Sequence, residues 1–170
     1  MQEEMLIGQA TGFFSANIHS PVPGTVTDIT EIYLPTGMKS TAVAIELAGE
    51  FNRAGKSSEK KNWDTISQKD LINKIADMGI VGLGGATFPA HIKYTLKEGV
   101  RLEYFVVNGV ECEPYLTADH RLMLEKTEEI LEGIHIIKKI LNPEHVIIGI
   151  EENKPDAINI MKEVIKDKRY

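Results

Sequence analysis

Residues Gly79 to Tyr94 read GIVGLGGATFPAHIKY, and this stretch decides how the chain is interpreted. Gly79, Gly82, Gly84 and Gly85 fall close together and are followed by Phe88-Pro89 and a segment of helical character carrying Lys93. Glycine lacks a Cβ, so such a run can turn sharply and bring its N–H groups close to a ligand. Proline suits the first turn of a helix, where its missing N–H has no partner to lose. A helix N-terminus attracts phosphate through bare amides and the positive dipole end. Lys93, one turn past Pro89, can add a full positive charge. The stretch reads as a phosphate cradle. A glycine-rich turn between two helices is the plain alternative, because glycine spacing alone has a real false-positive rate.

The chain has 170 residues, enough for one domain or one domain plus a fragment, and its 42% hydrophobic and 26% charged content is that of a globular protein. A formal charge of −6 argues against nucleic acid as a partner, since phosphate backbones require a basic face. Cys112 is the one cysteine, so this chain alone builds no intrachain disulfide, iron–sulfur cluster or structural zinc site. That fits a cytoplasmic setting. No apolar run has the length of a membrane span, and the acidic start MQEEMLIG lacks the character of a signal peptide.

On the N-terminal side, residues 1–50 read as all-β. Val22, Val26 and Ile29 are spaced by the turn residues Pro23 and Gly24, and Thr41–Leu47 is a second strand candidate after the turn Pro35-Thr36-Gly37. Fifty residues make a weak core alone. Residues 51–66 are polar and read as a linker ending near Trp63, an aromatic suited to packing. A helix starts at Ser67, with Asp70 as an acidic capping-box partner, and stops at Gly79. A short helix is expected from Pro89 to Leu96.

Beyond it, Leu102–Val107 (LEYFVV) suits a buried strand. One helix is expected from Asp119 to Ile140, with Leu122, Leu131, Ile134, Ile137 and Leu141 on its apolar face and Pro143 as the breaker. A second buried strand runs from Val146 to Ile150. Pro155 opens a last helix carrying Ile158, Met161, Val164 and Ile165. This alternation implies an α/β domain over 67–170, with a parallel sheet and helices on its faces. In such sheets ligands sit beyond the carboxyl ends of the strands. There the first strand presents Asn108, Glu111 and Glu113, and the second Glu151 and Glu152. Asparagine both donates and accepts, which suits a heterocycle edge or a ribityl chain, and carboxylates suit ribose hydroxyls. Solvated loop charges are the bland alternative. His19, His91, His120, His135 and His145 are scattered, and no metal is expected.

GIVGLGGATFPAHIK followed by EYFVVNGVECEPYLTADHRLM resembles the RnfC family of the Rnf electron transport complex, itself similar to the NADH-binding flavoprotein subunit of respiratory complex I. The resemblance implies a Rossmann-like FMN/NADH-binding domain preceded by part of a biotinyl/lipoyl-like barrel-sandwich module. By it, Gly82, Gly84, Gly85 and Ala86 would line FMN, Lys93 would contact its phosphate, and Phe88 would stack on NADH. Asn108, Glu111 and Glu113 would sit by the ribityl chain, isoalloxazine and nicotinamide ribose, with Glu151 at the second strand end. Glu113 is the expected catalytic position, through orientation rather than proton transfer. Cys112 is expected to be passive, as no histidine lies at a telling spacing.

Leu83 stands where the complex I pattern has arginine, Thr87 where it has glycine, and Val110 where it has an acidic residue. Loss of the arginine removes a bidentate phosphate contact. The expected carrier hairpin near Gly12-Phe13-Phe14 has no lysine, so the first module reads as structural. Relative to the family, the chain resembles a piece, or a naturally short paralogue, that begins inside the first module and ends before the flavin domain is complete. The family's two iron–sulfur clusters belong to a further C-terminal domain. The implied function is electron transfer from NADH through FMN in an Rnf-type ferredoxin:NAD oxidoreductase. Its partners are other subunits of a membrane electron transport complex, at the cytoplasmic face. The alternatives are a non-catalytic assembly module with a degenerate flavin site, or a related cobalamin-reductase-type electron-transfer protein.

Overall fold

A computed structural model of the chain describes residues 1–51 and 62–168, with side chains to Lys166. Most of the linker expected at 51–66 lies outside the described residues. Two compact units form, one from Met1–Ile66 with Ile72–Lys93, the other from Ser67–Leu71 with the chain from Tyr94 onward.

In the first unit, β1 (Leu6–Gly8) pairs antiparallel with β2 (Ile18–His19), and β3 (Gly24–Tyr33) pairs antiparallel with β4 (Lys39–Leu47). The turn between β3 and β4 is built on Gly37 at φ 81°, with the Leu34 amide donating to the Met38 carbonyl at 2.8 Å. Val26 and Ile29 lie opposite Ile45 and Val43, residues two apart on their own strand. The three-residue spacing of Val26 and Ile29 works only because a bulge between Val26 and Asp28 inserts one extra residue. Apolar side chains remain open along this hairpin, Ile29 at 68% exposure among them. A lone two-stranded hairpin carries little stability of its own.

α1 (Gln68–Asp77) begins as the sequence predicts. Ser67 Oγ accepts from the Asp70 amide at 3.1 Å and donates to the Asp70 carboxylate at 2.7 Å. Its end is a Schellman motif: Ile80 N donates to Ile75 O and Gly79 N to Ala76 O, with Gly79 left-handed at φ 64°. Asn17 fastens onto this end. Its side-chain amide donates to Asp77 O at 3.0 Å, and its Oδ1 accepts from Ala10 N at 2.9 Å. The backbones approach so closely that a Cβ on Gly79 would lie 2.0 Å from Asn17 O.

The next helix, α2 (Ala90–Tyr94), is shorter than expected. Pro89 is not its first turn: it pairs with Val81 in an isolated bridge, and its carbonyl accepts from Ile92 and Lys93. Five residues make too little helix for a strong dipole, so the anion-attracting terminus expected there is withdrawn as a source of charge.

In the second unit, β5 (Tyr104–Gly109) and β6 (His145–Ile150) pair in parallel. Between them run α3 (Ala118–Glu125) and α4 (Thr127–Leu141), and α5 (Pro155–Lys168) follows. This is one βαβ unit plus a helix. The single helix expected from Asp119 to Ile140 is two, broken at Lys126 (φ −131°). Thr127 is buried and turns its hydroxyl back to Met123 O, a bond that competes with helical continuity. Met123, rather than Leu122, is the core residue of α3; Leu122 is 49% exposed. Asn142 closes α4 in the left-handed conformation at φ 46°.

Met123, Leu131, Ile134, Ala157 and Met161 form the core, against which Phe105, Val107, Val146, Ile148 and Ile150 pack. The alternate strand residues Tyr104, Val106 and Ile147 are exposed. The strands are therefore covered on one face only among the described residues, not buried on both as their apolar runs predict. β5 also starts and ends two residues later than expected, so Asn108 and Gly109 lie within the strand rather than beyond it.

Candidate functional site

The glycine loop leaves α1 at Ile80 and returns at Ala90. Its neck is tied by Ala90 N to Ile80 O and Gly82 N to Phe88 O, both 2.9 Å, around the Val81–Pro89 bridge. Pro89 and Ala90 are buried, and residues 82–88 are exposed. The amides of Leu83, Gly84, Gly85, Ala86 and Thr87 have no acceptor among the described residues. Gly84 and Gly85 have nothing within 4 Å of where a Cβ would stand, and Gly85 sits at φ 101°, where a side chain is strained. A rigid neck thus carries a tip of outward amides, a donor set that fits an anionic group such as a phosphate. Lys93 is exposed and has no ion-pair partner among the described residues. Leu83 stands at the tip, 94% exposed.

Thr87 adopts φ 48°, a left-handed conformation that a β-branched residue holds at a cost. This is where the related pattern has glycine. Thr87→Gly is expected to raise stability by about 0.5–1 kcal/mol, the relief of strain less the entropy of glycine, as read by urea unfolding.

In the same unit an open cleft of about 700 Å³ runs between the segment Phe14–His19 and the loop residues Ala86–Pro89, with Met78 and Gly79 at its base. Phe88 lies on it, its ring centroid 5.9 Å from that of Phe14.

The carboxyl ends of β5 and β6 belong to the second unit. Asn108 is exposed. Its Oδ1 accepts from Val110 N at 3.1 Å, leaving the side-chain N–H groups without a partner among the described residues. It also lines a small cavity of about 170 Å³ with Leu122, Met123 and Met161. Glu111, at φ 52°, turns its carboxylate onto the N-terminus of α3, accepting from Asp119 N at 2.6 Å and His120 N at 3.0 Å. Glu113 and Cys112 are exposed at the tip of the same segment.

Glu151 is tied to Lys154 at 2.9 Å and accepts from the Asn153 amide at 3.1 Å. Lys154, only 8% exposed, also donates to Val110 O at 2.7 Å and Glu111 O at 3.2 Å. One buried ammonium thus binds the ends of β5 and β6 together. His120 lies 2.8 Å from Asp156. The sequence reading missed Lys154 and the His120–Asp156 pair, whose only local signal is a polar residue standing just before or within the first turn of α5.

Three carboxyls here are held below their ordinary range. At Glu111 partial desolvation pushes upward, but the Asp119 and His120 amides and the charges of Lys154 and His120 outweigh it. At Glu151 the Lys154 and Asn153 bonds lower it, and at Asp156 the His120 bond and the Ala157 amide do so. A lowered folded-state pKa contributes stability above the unfolded value and loses it as pH falls through the folded one. The chain is therefore expected to lose stability as pH drops below the ordinary carboxylate values of 4.5 and 3.8. Urea midpoints across that range should fall less steeply for Glu111→Gln than for the parent.

A loop of outward amides on a short neck, in a chain that also carries a βαβ unit with polar strand ends, defines an α/β protein of the flavin-nucleotide-binding class. Residues 75–170 match the family model described as the Nuo51 FMN-binding domain, and residues 2–50 match the RnfC barrel sandwich hybrid domain. The chain belongs to the RnfC family of the Rnf electron transport complex. It is 41% identical over 166 residues to the RnfC subunit of the proton-translocating ferredoxin:NAD(+) oxidoreductase complex of Clostridium ljungdahlii, covering 98% of this chain and 36% of that protein. It is 39% identical over 158 residues to the RnfC subunit of the ion-translocating oxidoreductase complex of Rhodobacter capsulatus, covering 92% and 30%. To the corresponding subunit in Haemophilus influenzae it is 37% identical over 151 residues, covering 88% and 18%. The chain therefore spans about a third or less of the length of these relatives. No helix among the described residues is long and apolar enough to cross a membrane.

Proposed function

We propose that this chain is the flavin-holding part of an electron-transfer subunit that oxidises NADH through FMN in an Rnf-type ferredoxin:NAD oxidoreductase. The observation that carries this reading is the run of amides from Leu83 to Thr87 without internal acceptors, on a neck that is itself fully bonded. FMN, when bound, supplies the exchange between hydride chemistry and single-electron transfer. The residues of this chain bind and orient. Amides of Gly84, Gly85 and Ala86 hold a phosphate, Gly82 fixes the neck, and Lys93 adds charge. Phe88 offers its ring to a nucleotide base or nicotinamide. In the second unit, Asn108 offers its unpaired N–H groups to a polar ring edge or a ribityl hydroxyl, and Glu113 orients a ribose. Glu111 and Glu151 act from one layer back, holding the strand-end segments in shape through Lys154 and the α3 amides. The βαβ unit is read as part of a Rossmann-like domain. Other subunits of the complex are the partners, and through them the chain meets the cytoplasmic face of the membrane.

Titration of FMN against the chain tests this. Quenching of flavin fluorescence is expected, with Lys93→Ala weakening the affinity about tenfold, the worth of one charge-assisted contact. A second reading, an assembly module whose flavin site has decayed, is favoured by the fully open Leu83, an apolar tip where an arginine would serve phosphate better. Absence of quenching at about 50 μM FMN, a concentration that captures any site of micromolar affinity, would support that reading instead.

A further inference from the structure

The cleft of the first unit has a wall that the glycine loop does not supply. Phe13 and Phe14 are 75% and 70% exposed, and Phe88 is 43% exposed. Phe14 lies 5.9 Å from Phe88, tilted by 59°, while Phe13 meets Phe14 edge-on at 5.0 Å. Large aromatics are costly to leave in water, and three in one line beside a polar loop form an unusual surface. Their placement is built rather than loose. Asn17, three residues past Phe14, is bonded to the end of α1 through Asp77 O and to Ala10 N, and only a glycine at 79 lets the two backbones meet. The same cleft ends on Ala86 and Thr87, two of the loop residues whose amides have no acceptor among the described residues. Flat apolar rings at one end and outward N–H groups at the other complement a molecule with a flat ring and an anionic tail.

We infer that Phe14, from the N-terminal β module, is a ring-binding residue of the glycine-loop site. It takes one face of the aromatic ring of a nucleotide whose phosphate lies on the amides of Gly84–Thr87, opposite Phe88 and braced by Phe13. The module is thereby part of the binding site and not only a structural appendage. This rests on the reading of the loop as a phosphate site.

The test uses the whole chain with three probes: ADP-ribose, FMN and inorganic pyrophosphate, the last followed by the amide shifts of Gly84–Thr87. Phe14→Ala is expected to weaken one ring-bearing probe about tenfold, the usual loss for one stacked base, and to leave pyrophosphate unchanged. Phe14→Tyr should retain the parent affinity. The probe that loses affinity identifies the ring, adenine or isoalloxazine. If both nucleotides bind Phe14→Ala as tightly as the parent, the inference fails while the phosphate reading stands. If pyrophosphate and both nucleotides leave the parent unperturbed, both fail. If Phe14→Ala weakens pyrophosphate equally, Phe14 merely shapes the loop and the inference is overturned.

Discussion

Alanine at position 79 is expected to cost about 2–5 kcal/mol of stability, the sum of left-handed strain and forced overpacking. Gly79 closes α1 at φ 64°, where a Cβ is already unfavourable. The added carbon would also lie 2.0 Å from Asn17 O and 2.9 Å from Asn17 C, both backbone atoms that no rotamer change can move. The clash can be relieved only by lifting the Asn17 segment from the helix end. That would break the 3.0 Å bond from Asn17 to Asp77 O and move the wall that carries Phe14. Gly79→Asn separates the two causes. Asparagine tolerates the left-handed region better than alanine but carries the same Cβ. If the close approach dominates, both variants unfold at similar urea concentrations; an asparagine variant near the parent would leave strain alone as the cause.

Lys154→Met is expected to cost about 2–4 kcal/mol, corresponding to a fall in Tm of about 4–16 °C for a chain of this size. Methionine matches the stem but donates nothing. The carbonyls of Val110 and Glu111 and the Glu151 carboxylate would lose a donor that reaches them at 2.7, 3.2 and 2.9 Å. Glu151→Gln should be much milder, because that side chain is 29% exposed and water can replace its partner. Near-parent stability of Lys154→Met would mean that the strand-end segments are held by the α3 amides alone.

The parts of this fold that were legible are those written in local chemistry. Ser67 with Asp70, and Gly79, bound α1 as read. Apolar runs near 104–109 and 145–150 mark two parallel strands because β-branched and aromatic residues cluster there between breakers. What escaped depends on partners far along the chain. Nothing near Lys126 announces a break, since neither glycine nor proline stands there; the interruption comes with the buried hydroxyl of Thr127. The two strands look doubly buried from their composition, but helices cover one face only. Within the candidate site, glycine spacing marked the loop, but which amides stay unbonded follows from the pairing of Val81 with Pro89. Lys154 was invisible because its acceptors lie 43 and 44 residues away. Phe14 and Asn17 were invisible for the same reason, their partners standing 74 and 60 residues on.

The central claim is that the tip of the glycine loop grips an anion with its backbone. Amide-resolved NMR during an FMN titration measures it most directly. Saturable shifts confined to Leu83–Thr87, with Gly82 and Ala90 little changed because their amides are already bonded, are the predicted result. Shifts that bypass the loop, or that grow without saturation across surface lysines, would contradict it.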